Sequence, residues 1–280
     1  MRFLVFLAVA CWGCGSQQQP RLSICAIFKN EAPWLKEWLV YHRDVLQVDH
    51  FYLYNNDSSD HYREVLEPFI QEGVVELFEW SSADPAHCME GPGMDAPWSA
   101  AQLGAYNDCL KKRALGRTDW VAMIDIDEFI VPVRGVSSFY ALLRRAAEQK
   151  KGTVTLAWRI FGTSDVEDLQ EGELLTEKLT WRGEEGHPWH QQVKSIHRPE
   201  GVSFCAIHTA VVMEPHFGSR SLPAEEVRIH HYWTRTGRYC AEKRKMSTES
   251  HPQFFADLHQ VEDWTIAQYL PLLEQRMRGL

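Results

Sequence analysis

The stretch RLSICAIFKNEAPWLKEWLVYHRDVLQVDHFYLYNNDSSD, residues 21–60, decides the fold class. Its opening, Arg21 to Phe28, is an almost continuous apolar run, the pattern of a central parallel strand covered on both faces. Lys29-Asn30-Glu31 ends the run, and Pro33 stands where the first turn of a helix tolerates a missing N–H. From Trp34 to Leu46, the apolar residues Trp34, Leu35, Trp38, Leu39, Val45 and Leu46 recur at helical spacing. A second strand is expected at His50 to Tyr54, then a polar turn from Asn55 to Asp60, a helix through Val65 to Ile70 and, after Gly73, a third strand from Val74 to Phe78. Strand, helix, strand, helix, strand at these intervals is the βαβ signature, whose crossovers make the strands parallel and place helices on both faces. The expected fold is therefore α/β, with a Rossmann-like, mostly parallel sheet.

Downstream, residues 81–97 hold three Pro and two Gly with no clear period, a loop of the length that usually has a job. A helix at 99–115 leads into WVAMIDID, read as one buried strand from 120 to 127. Further expectations are a helix from Ser137 to Lys150, a strand at 153–160, strands in SFCAIHTAVVM (203–213) and RIHHYW (228–233), and helices at 238–245 and 261–273. Residues 161–199 are poor in pattern and rich in Gly, Trp, His and charge. The body from 20 to 280 reads as one domain, with 161–280 as a substrate-side elaboration of the sheet.

A chain of 280 residues with 45% hydrophobic content buries a substantial single core. Its net charge of -9, from 38 acidic and 29 basic residues, works against a broad nucleic-acid footprint, and no nucleic-acid partner is expected. The two densest basic stretches, Lys111-Lys112-Arg113 and Lys243-Arg244-Lys245, fall in expected helices as solvated faces. Residues 1–19 stand apart: Arg2, an apolar run FLVFLAVACW and then GCGSQQQP resemble an export signal or a lipoprotein processing segment with its linker. The run is too short to span a bilayer as a helix, which needs ~20 apolar residues. An exported location follows as the expectation (periplasm, membrane-anchored or Golgi-like lumen), with peripheral or lipid-anchored membrane association. The cysteines of the body, Cys25, Cys88, Cys109, Cys205 and Cys240, form no CxxC pair, which excludes a sequence-evident zinc knuckle; a Cys205–Cys240 disulfide is conceivable in an oxidising compartment.

The sharpest local feature is IDIDEF at 124–129. On a strand, Asp125 and Asp127 point to one side and Ile124 and Ile126 to the other. An apolar approach places them at the carboxyl end of a buried strand, where open α/β sheets bind ligands. Paired carboxylates repel, and a divalent cation relieves this with hard oxygen ligands, so Mn²⁺ or Mg²⁺ is the expected cofactor. Such an ion can neutralise a diphosphate leaving group. Glu128 is read either as an orienter of this turn or as a structural ion-pair partner. The Asn55–Asp60 turn follows the second strand at the same edge, and its side chains serve either to hold the turn or to accept from a nucleoside. His230 and His231 cannot both face the site from a strand; His231 is chosen to complete a metal set of Asp125, Asp127 and His231, with His208 a weaker candidate. No HExxH, GxSxG, GxxxxGK[ST] or GxGxxG motif is present.

Taken in order, CAIFKNE, WLKEWLVYH, FYLYNNDSSD, QLGAYNDCL, MIDIDEFIVP, WRIFGTS and IHHYWTRT resemble glycosyltransferase family 92 and related family 2-like transferases, over roughly Arg21 to the end of the helix at 238–245. The resemblance implies a GT-A type fold and transfer of a hexose from a nucleotide-sugar donor, UDP-linked, to a glycan or other hydroxyl acceptor with inversion. It also implies that the 161–280 elaboration lies on the acceptor side. Carried over residue by residue, it assigns Lys29, Asn30, Glu31 and either Asp57 or Asp60 to the nucleotide, with Asn55 a candidate from the same turn. Asp125 and Asp127 fall on the metal-diphosphate motif, His231 on the downstream HY, and Arg235 and Lys243 on cations placed for phosphate. An inverting transfer needs a base for the acceptor hydroxyl, and Asp165 and Glu177 are the first candidates, with Trp158, Trp181 and Trp189 as surfaces for the acceptor sugar. Two other functions fit the same motifs: a non-catalytic carbohydrate-binding protein on this fold, and a metal-dependent nucleotide-sugar hydrolase, the latter disfavoured because the cluster lacks the extra carboxylates of a paired-metal site.

Overall fold

The computed structural model describes residues 18–90 and 97–279, so residues 1–17 of the signal-like segment lie outside it. In chain order the elements are β1 (Leu22–Phe28), α1 (Ala32–Val40), β2 (His50–Asn55), α2 (Tyr62–Gln71), β3 (Val75–Glu79), α3 (Pro97–Asp108), β4 (Trp120–Met123), β5 (Glu128–Pro132), α4 (Val136–Glu148) and β6 (Lys151–Ile160). There follow α5 (Leu175–Lys178), β7 (Trp181–Arg182), β8 (Val193–His197), β9 (Val202–Cys205), β10 (Ala210–Val212), β11 (Gly218–Ser221) and β12 (Val227–His231). Two helices, α1 and α3, run on into wider π turns at Tyr41–Val45 and Cys109–Ala114. Among the described residues no helix is long and apolar enough to cross a membrane.

The opening stretch folds as its pattern requires. Strand β1 pairs in parallel with β2 and with β4, and β2 pairs in parallel with β3. Its side chains alternate between two cores: Leu22, Ile24, Ala26 and Phe28 pack with α1 and α2, whereas Cys25 and Ile27 pack with α3 and β9. Each fully buried aliphatic or aromatic side chain contributes ~1.5–3 kcal/mol, so a strand buried on both faces anchors the sheet. Helix α1 begins with Pro33 in its first turn, and Asp60 Oδ2 accepts from the Ala32 amide at 2.8 Å.

Beyond β4 the sheet departs from expectation. The strand read over 120–127 stops at Met123, and the chain turns at 125–128, where the Glu128 amide donates to the Asp125 carbonyl at 3.1 Å. Strand order is β3-β2-β1-β4-β8-β6-β12-β5, with β11 beside the first half of β6. Four interstrand steps would separate β4 from β5 by ~19 Å in a flat sheet, about all that the short link could span fully extended. The link is a turn, so the sheet must curl to bring β5 back over β4.

Strand β8 was not anticipated: it runs antiparallel between β4 and β6 in the middle of the sheet. Strand β12 is parallel to β6, and β5 antiparallel to β12. Strands from the second half are thus interior members of the main sheet. Residues 203–213, read as one strand, form the antiparallel pair β9–β10 with a turn at 206–209. The helix expected over 261–273 starts only at 265, as a tight turn that becomes regular from Leu270. Cys205 and Cys240 are separate buried free thiols, not a disulfide.

Candidate active site at the carboxyl edge of the sheet

Because β1, β4, β6 and β12 run the same way, their carboxyl ends converge on one edge, and the reversed β8 presents its first residues there. A cleft of about 680 Å³ opens at this edge, lined by Lys29, Asn30 and Glu31 after β1, Asp125 and Asp127 after β4, Trp158 on β6 and His231 at the end of β12. The volume falls within the ~300–1,000 Å³ of small-molecule sites. Arg235, Lys243 and Arg244 close one side, and Trp98, Ser99 and Gln102 enter from the start of α3.

The two aspartates occupy different environments. Asp125 accepts from Gln102 Nε2 at 2.9 Å and Tyr106 OH at 3.2 Å on one oxygen, and from Lys194 Nζ at 2.7 Å on the other. Its amide donates to Glu128 Oε2 at 2.9 Å. Lys194 comes from β8, is buried, and lies 3.4 Å from Glu128 as well. The two carboxylates hold the Lys194 pKa above its ordinary value despite burial, so the ammonium is a fixed charge. Burial raises Glu128 to about 7, with Lys194 opposing the rise and the neighbouring Asp125 carboxylate adding to it.

Asp127 is surrounded instead by longer contacts: His231 Nε2 at 3.5 Å on one oxygen, Arg244 at 3.5 Å and Arg235 at 3.8 Å on the other. Burial works to raise its pKa, and His231, Arg235 and Arg244 together outweigh it and hold the carboxyl well below the usual range. Arg235 is almost wholly buried, ion-paired to Glu31 and sandwiched by Trp34 and Tyr239, whose ring centres lie 5.0 and 4.7 Å from its guanidinium carbon. Its φ of 50° and that of Asn30, 56°, place both in the left-handed region, a cost for Arg that surrounding structure must offset.

Among the described residues no group of three or more His, Cys, Asp or Glu side chains is assembled for a metal ion. The expected set of Asp125, Asp127 and His231 is not gathered, because both Asp125 oxygens are engaged by Gln102, Tyr106 and Lys194. Asp127 and His231 fit a cation as a pair: their facing atoms are 3.5 Å apart, too long for a good hydrogen bond, while His231 Nδ1, on the far side of the ring, is buried without a hydrogen bond, 3.9 Å from Glu128 Oε1. A hard-to-borderline ion would then draw its remaining ligands from a bound substrate.

Other expected residues fall elsewhere. Asn55 is buried and builds the turn, donating to Tyr62 OH at 2.8 Å and to Glu79 at 2.6 Å while accepting from the Ser58 amide at 3.0 Å. Asp57 accepts from Ser81 Oγ at 2.8 Å, and Asp60 caps α1; none of the three lines the cleft. The turn acts on the site indirectly, since Ser58 Oγ accepts from the Asn30 amide at 2.9 Å and Asn30 Oδ1 accepts from the Ser59 amide at 2.7 Å. Asp165 is 80% exposed beside His259, and Glu177 is ion-paired to Lys178 on a different face, so the structure brings neither to the cleft. Trp158 lines the cleft, whereas Trp181 stacks on His259 and Trp189 packs against Trp233 and Phe254. His230 faces away, against Phe161 and Arg228.

Lys194, Gln102, Tyr106, Arg244 and Trp233 were not anticipated. Gln102 and Tyr106 carry a readable signal, for they lie four apart on one helix face beside an expected acidic pair. Four lining cations, Lys29, Arg235, Lys243 and Arg244, stand against three lining carboxylates, Glu31, Asp125 and Asp127, so the cleft can receive an anion despite the acidic chain.

Comparison with known proteins adds an independent line. A protein of glycosyltransferase family 92 from Ricinus communis is 29% identical over 118 residues, 42% of this chain and 18% of the relative. Another, from Oryza sativa subsp. japonica, is 28% identical over 145 residues, 51% of this chain and 22% of the relative. The chain thus matches about a fifth of the length of these curated relatives. Among solved structures, a mannosyltransferase from Pyrobaculum calidifontis in complex with GDP-Man and Mn²⁺ is 12% identical with a TM-score of 0.46, covering 94% of this chain and 74% of that one. The model of glycosyltransferase family 92 matches residues 21–276, from the start of β1 to the last helix, and the chain belongs to that family.

Proposed function

We propose that this protein transfers a hexose from a nucleotide-sugar donor, UDP-linked, to a hydroxyl of a glycan or other acceptor, on a GT-A type scaffold. The observation that carries this reading is the cleft itself: four cations and the Asp125–Asp127 pair gathered at the carboxyl edge of the sheet, in a chain of this family. A diphosphate is the ligand whose charge and size match a cation-rich pocket that also holds paired acids. In this reading Lys29, Lys243 and Arg244 meet the phosphates, Arg235 holds Glu31 and Asp127 in place, and Asp125, locked by Lys194, Gln102 and Tyr106, forms part of the cleft wall. Asp127 and His231 are the residues that would hold Mn²⁺ or Mg²⁺, which when bound neutralises charge on the departing diphosphate. Trp158 and Trp233 supply flat apolar walls for sugar rings.

The test is binding and turnover of UDP-glucose, UDP-galactose, UDP-N-acetylglucosamine and GDP-mannose by the full chain, with and without Mn²⁺, for the wild type and Asp127→Asn. The expected outcome is donor binding strengthened by Mn²⁺, and a loss of at least ~100-fold in metal-dependent turnover in the variant. Equal turnover by wild type and variant at limiting Mn²⁺ sinks the metal assignment. Absence of binding to every donor sinks the transfer reading.

A further inference from the structure

We propose that His208 is the catalytic base that takes the proton from the acceptor hydroxyl, an assignment that rests on the transfer reading above. The residue lies in the turn between β9 and β10, is half-buried and lines the cleft beside Trp158. Its Nδ1 is 3.0 Å from the carbonyl oxygen of Val193. A carbonyl only accepts, so Nδ1 carries the hydrogen and Nε2 holds the lone pair. No protein hydrogen bond reaches Nε2 among the described residues. Burial, with Lys194 adding to it, lowers the His208 pKa and keeps the ring neutral, the form a base requires.

The turn is held as a loop with a mechanical task would be. Ser195 Oγ donates to the His208 carbonyl at 2.6 Å, and the Ala206 amide donates to the Thr209 carbonyl at 2.9 Å. Both anchors of His208, Val193 and Ser195, flank Lys194 on β8, so one strand sets the imidazole and the Asp125 carboxylate together. Trp158 stands between the two histidines of the cleft, its ring centre 5.5 Å from that of His208 and 4.3 Å from that of His231. The charged or titratable groups acting on His208 are Lys194, Asp125 and His231.

Every carboxylate that lines the cleft is committed. Glu31 is paired to Arg235, Asp125 to Lys194, and Asp127 lies among His231, Arg235 and Arg244. Protonating any of them abandons an ion pair at the moment the site needs its charges fixed. His208 has no such cost. In the transfer step the Nε2 lone pair takes the hydroxyl proton as the acceptor oxygen forms its bond to the anomeric carbon. The bond from that carbon to the diphosphate breaks with the electron pair leaving on the diphosphate, and the imidazolium returns its proton to water once the products depart.

The experiment measures donor affinity and transfer to a set of methyl glycosides by the full chain with Mn²⁺, for wild type, His208→Gln and His208→Ala, after confirming by circular dichroism that both variants fold. Expected are a ~100-fold or greater fall in kcat, donor affinity within about threefold of wild type by the committed geometry of the remaining cleft, and partial recovery of His208→Ala by added imidazole. Transfer retained within a few-fold in either folded variant overturns the proposal. So does a fall in donor affinity that accounts for the lost transfer, because it makes His208 a binding residue. If the wild type binds no donor, the transfer reading fails and this assignment fails with it, an outcome distinct from a selective kcat defect.

Discussion

Protonating His42 would break a backbone contact that the fold needs. Its Nδ1 donates to the Trp38 carbonyl at 2.8 Å, four residues back along α1, while its Nε2 accepts from the Ile130 amide of β5 at 3.3 Å. Both ring nitrogens are used, and only the neutral ring can use them this way. Burial pushes the pKa down to about 3 from an ordinary value near 6.5. Between those values the unfolded chain binds a proton that the native state refuses, so stability falls as pH drops through that window and is level above it. The slope contributed is ~1.4 kcal/mol per pH unit, and His197, also held at about 3 by burial, adds a similar share. Urea unfolding of wild type and His42→Gln at pH 4.5, 5.5, 6.5 and 7.5 should show the variant less stable at pH 7.5 and less sensitive to acid. Equal slopes would show that His42 is protonated in the native state. Single residues were legible when they sit next to a strand end: Lys29, Glu31 and Asp127 could be placed by counting along the chain. Lys194 could not, because a lysine in a pattern-poor region reads as surface, and only the sheet shows that two carboxylates surround it.

At the scale of elements, α3 shows why residues far from the chemistry matter to it. Gly104 sits mid-helix where a Cβ would lie 1.9 Å from the His87 carbonyl oxygen. The 80–90 segment rests on the helix there: Trp80 Nε1 donates to the Ala101 carbonyl at 3.0 Å, the Met89 amide to the Ala100 carbonyl at 3.0 Å, and Trp80 stacks on His87 at 4.2 Å. Alanine would improve helix propensity by ~1 kcal/mol, yet the contact is with backbone, so the segment must lift away. Gly104→Ala should therefore cost ~1–3 kcal/mol net and open residues 81–90 to limited proteolysis; a variant as stable and as resistant as wild type would mean the segment is not seated on α3. The first βαβαβ run was legible because each strand is apolar and each helix periodic. Strand β8, Val-Lys-Ser-Ile-His, was not, since the side chains it buries include Lys194 and His197, whose partners come from the turn after β4, from β5, from β6 and from β9. The IDID segment failed for a related reason: period two was right for a strand, but Glu128, buried and accepting from the Asp125 amide, ends the strand and turns the chain.

Over the whole molecule, the halves are joined by more than the sheet. Glu37 on α1 is buried and reaches across to α5, where its oxygens accept from the Leu175 amide at 2.8 Å, the Thr176 amide at 2.9 Å and Thr176 Oγ1 at 2.7 Å. These are the orphan donors at the start of a helix, satisfied here by a side chain 138 residues away in sequence. With β8 and β12 also hydrogen-bonded inside the sheet, neither half can complete its own core. The chain should then unfold in one cooperative step, with far-UV circular dichroism and tryptophan fluorescence tracing the same curve, since Trp38 and Trp120 report on one half and Trp158 and Trp233 on the other. Glu37→Ala leaves two amides and a hydroxyl without an acceptor, each costing ~1–3 kcal/mol when buried. Entry of water limits the sum, so the expected loss is ~3 kcal/mol, shifting both probes to lower urea together. Glu37→Gln keeps one acceptor oxygen and should fall between. If the fluorescence and circular dichroism curves of Glu37→Ala separate, the contact is what couples two regions able to unfold apart; if they stay coincident at the lower midpoint, the interleaved strands alone hold the molecule as one unit.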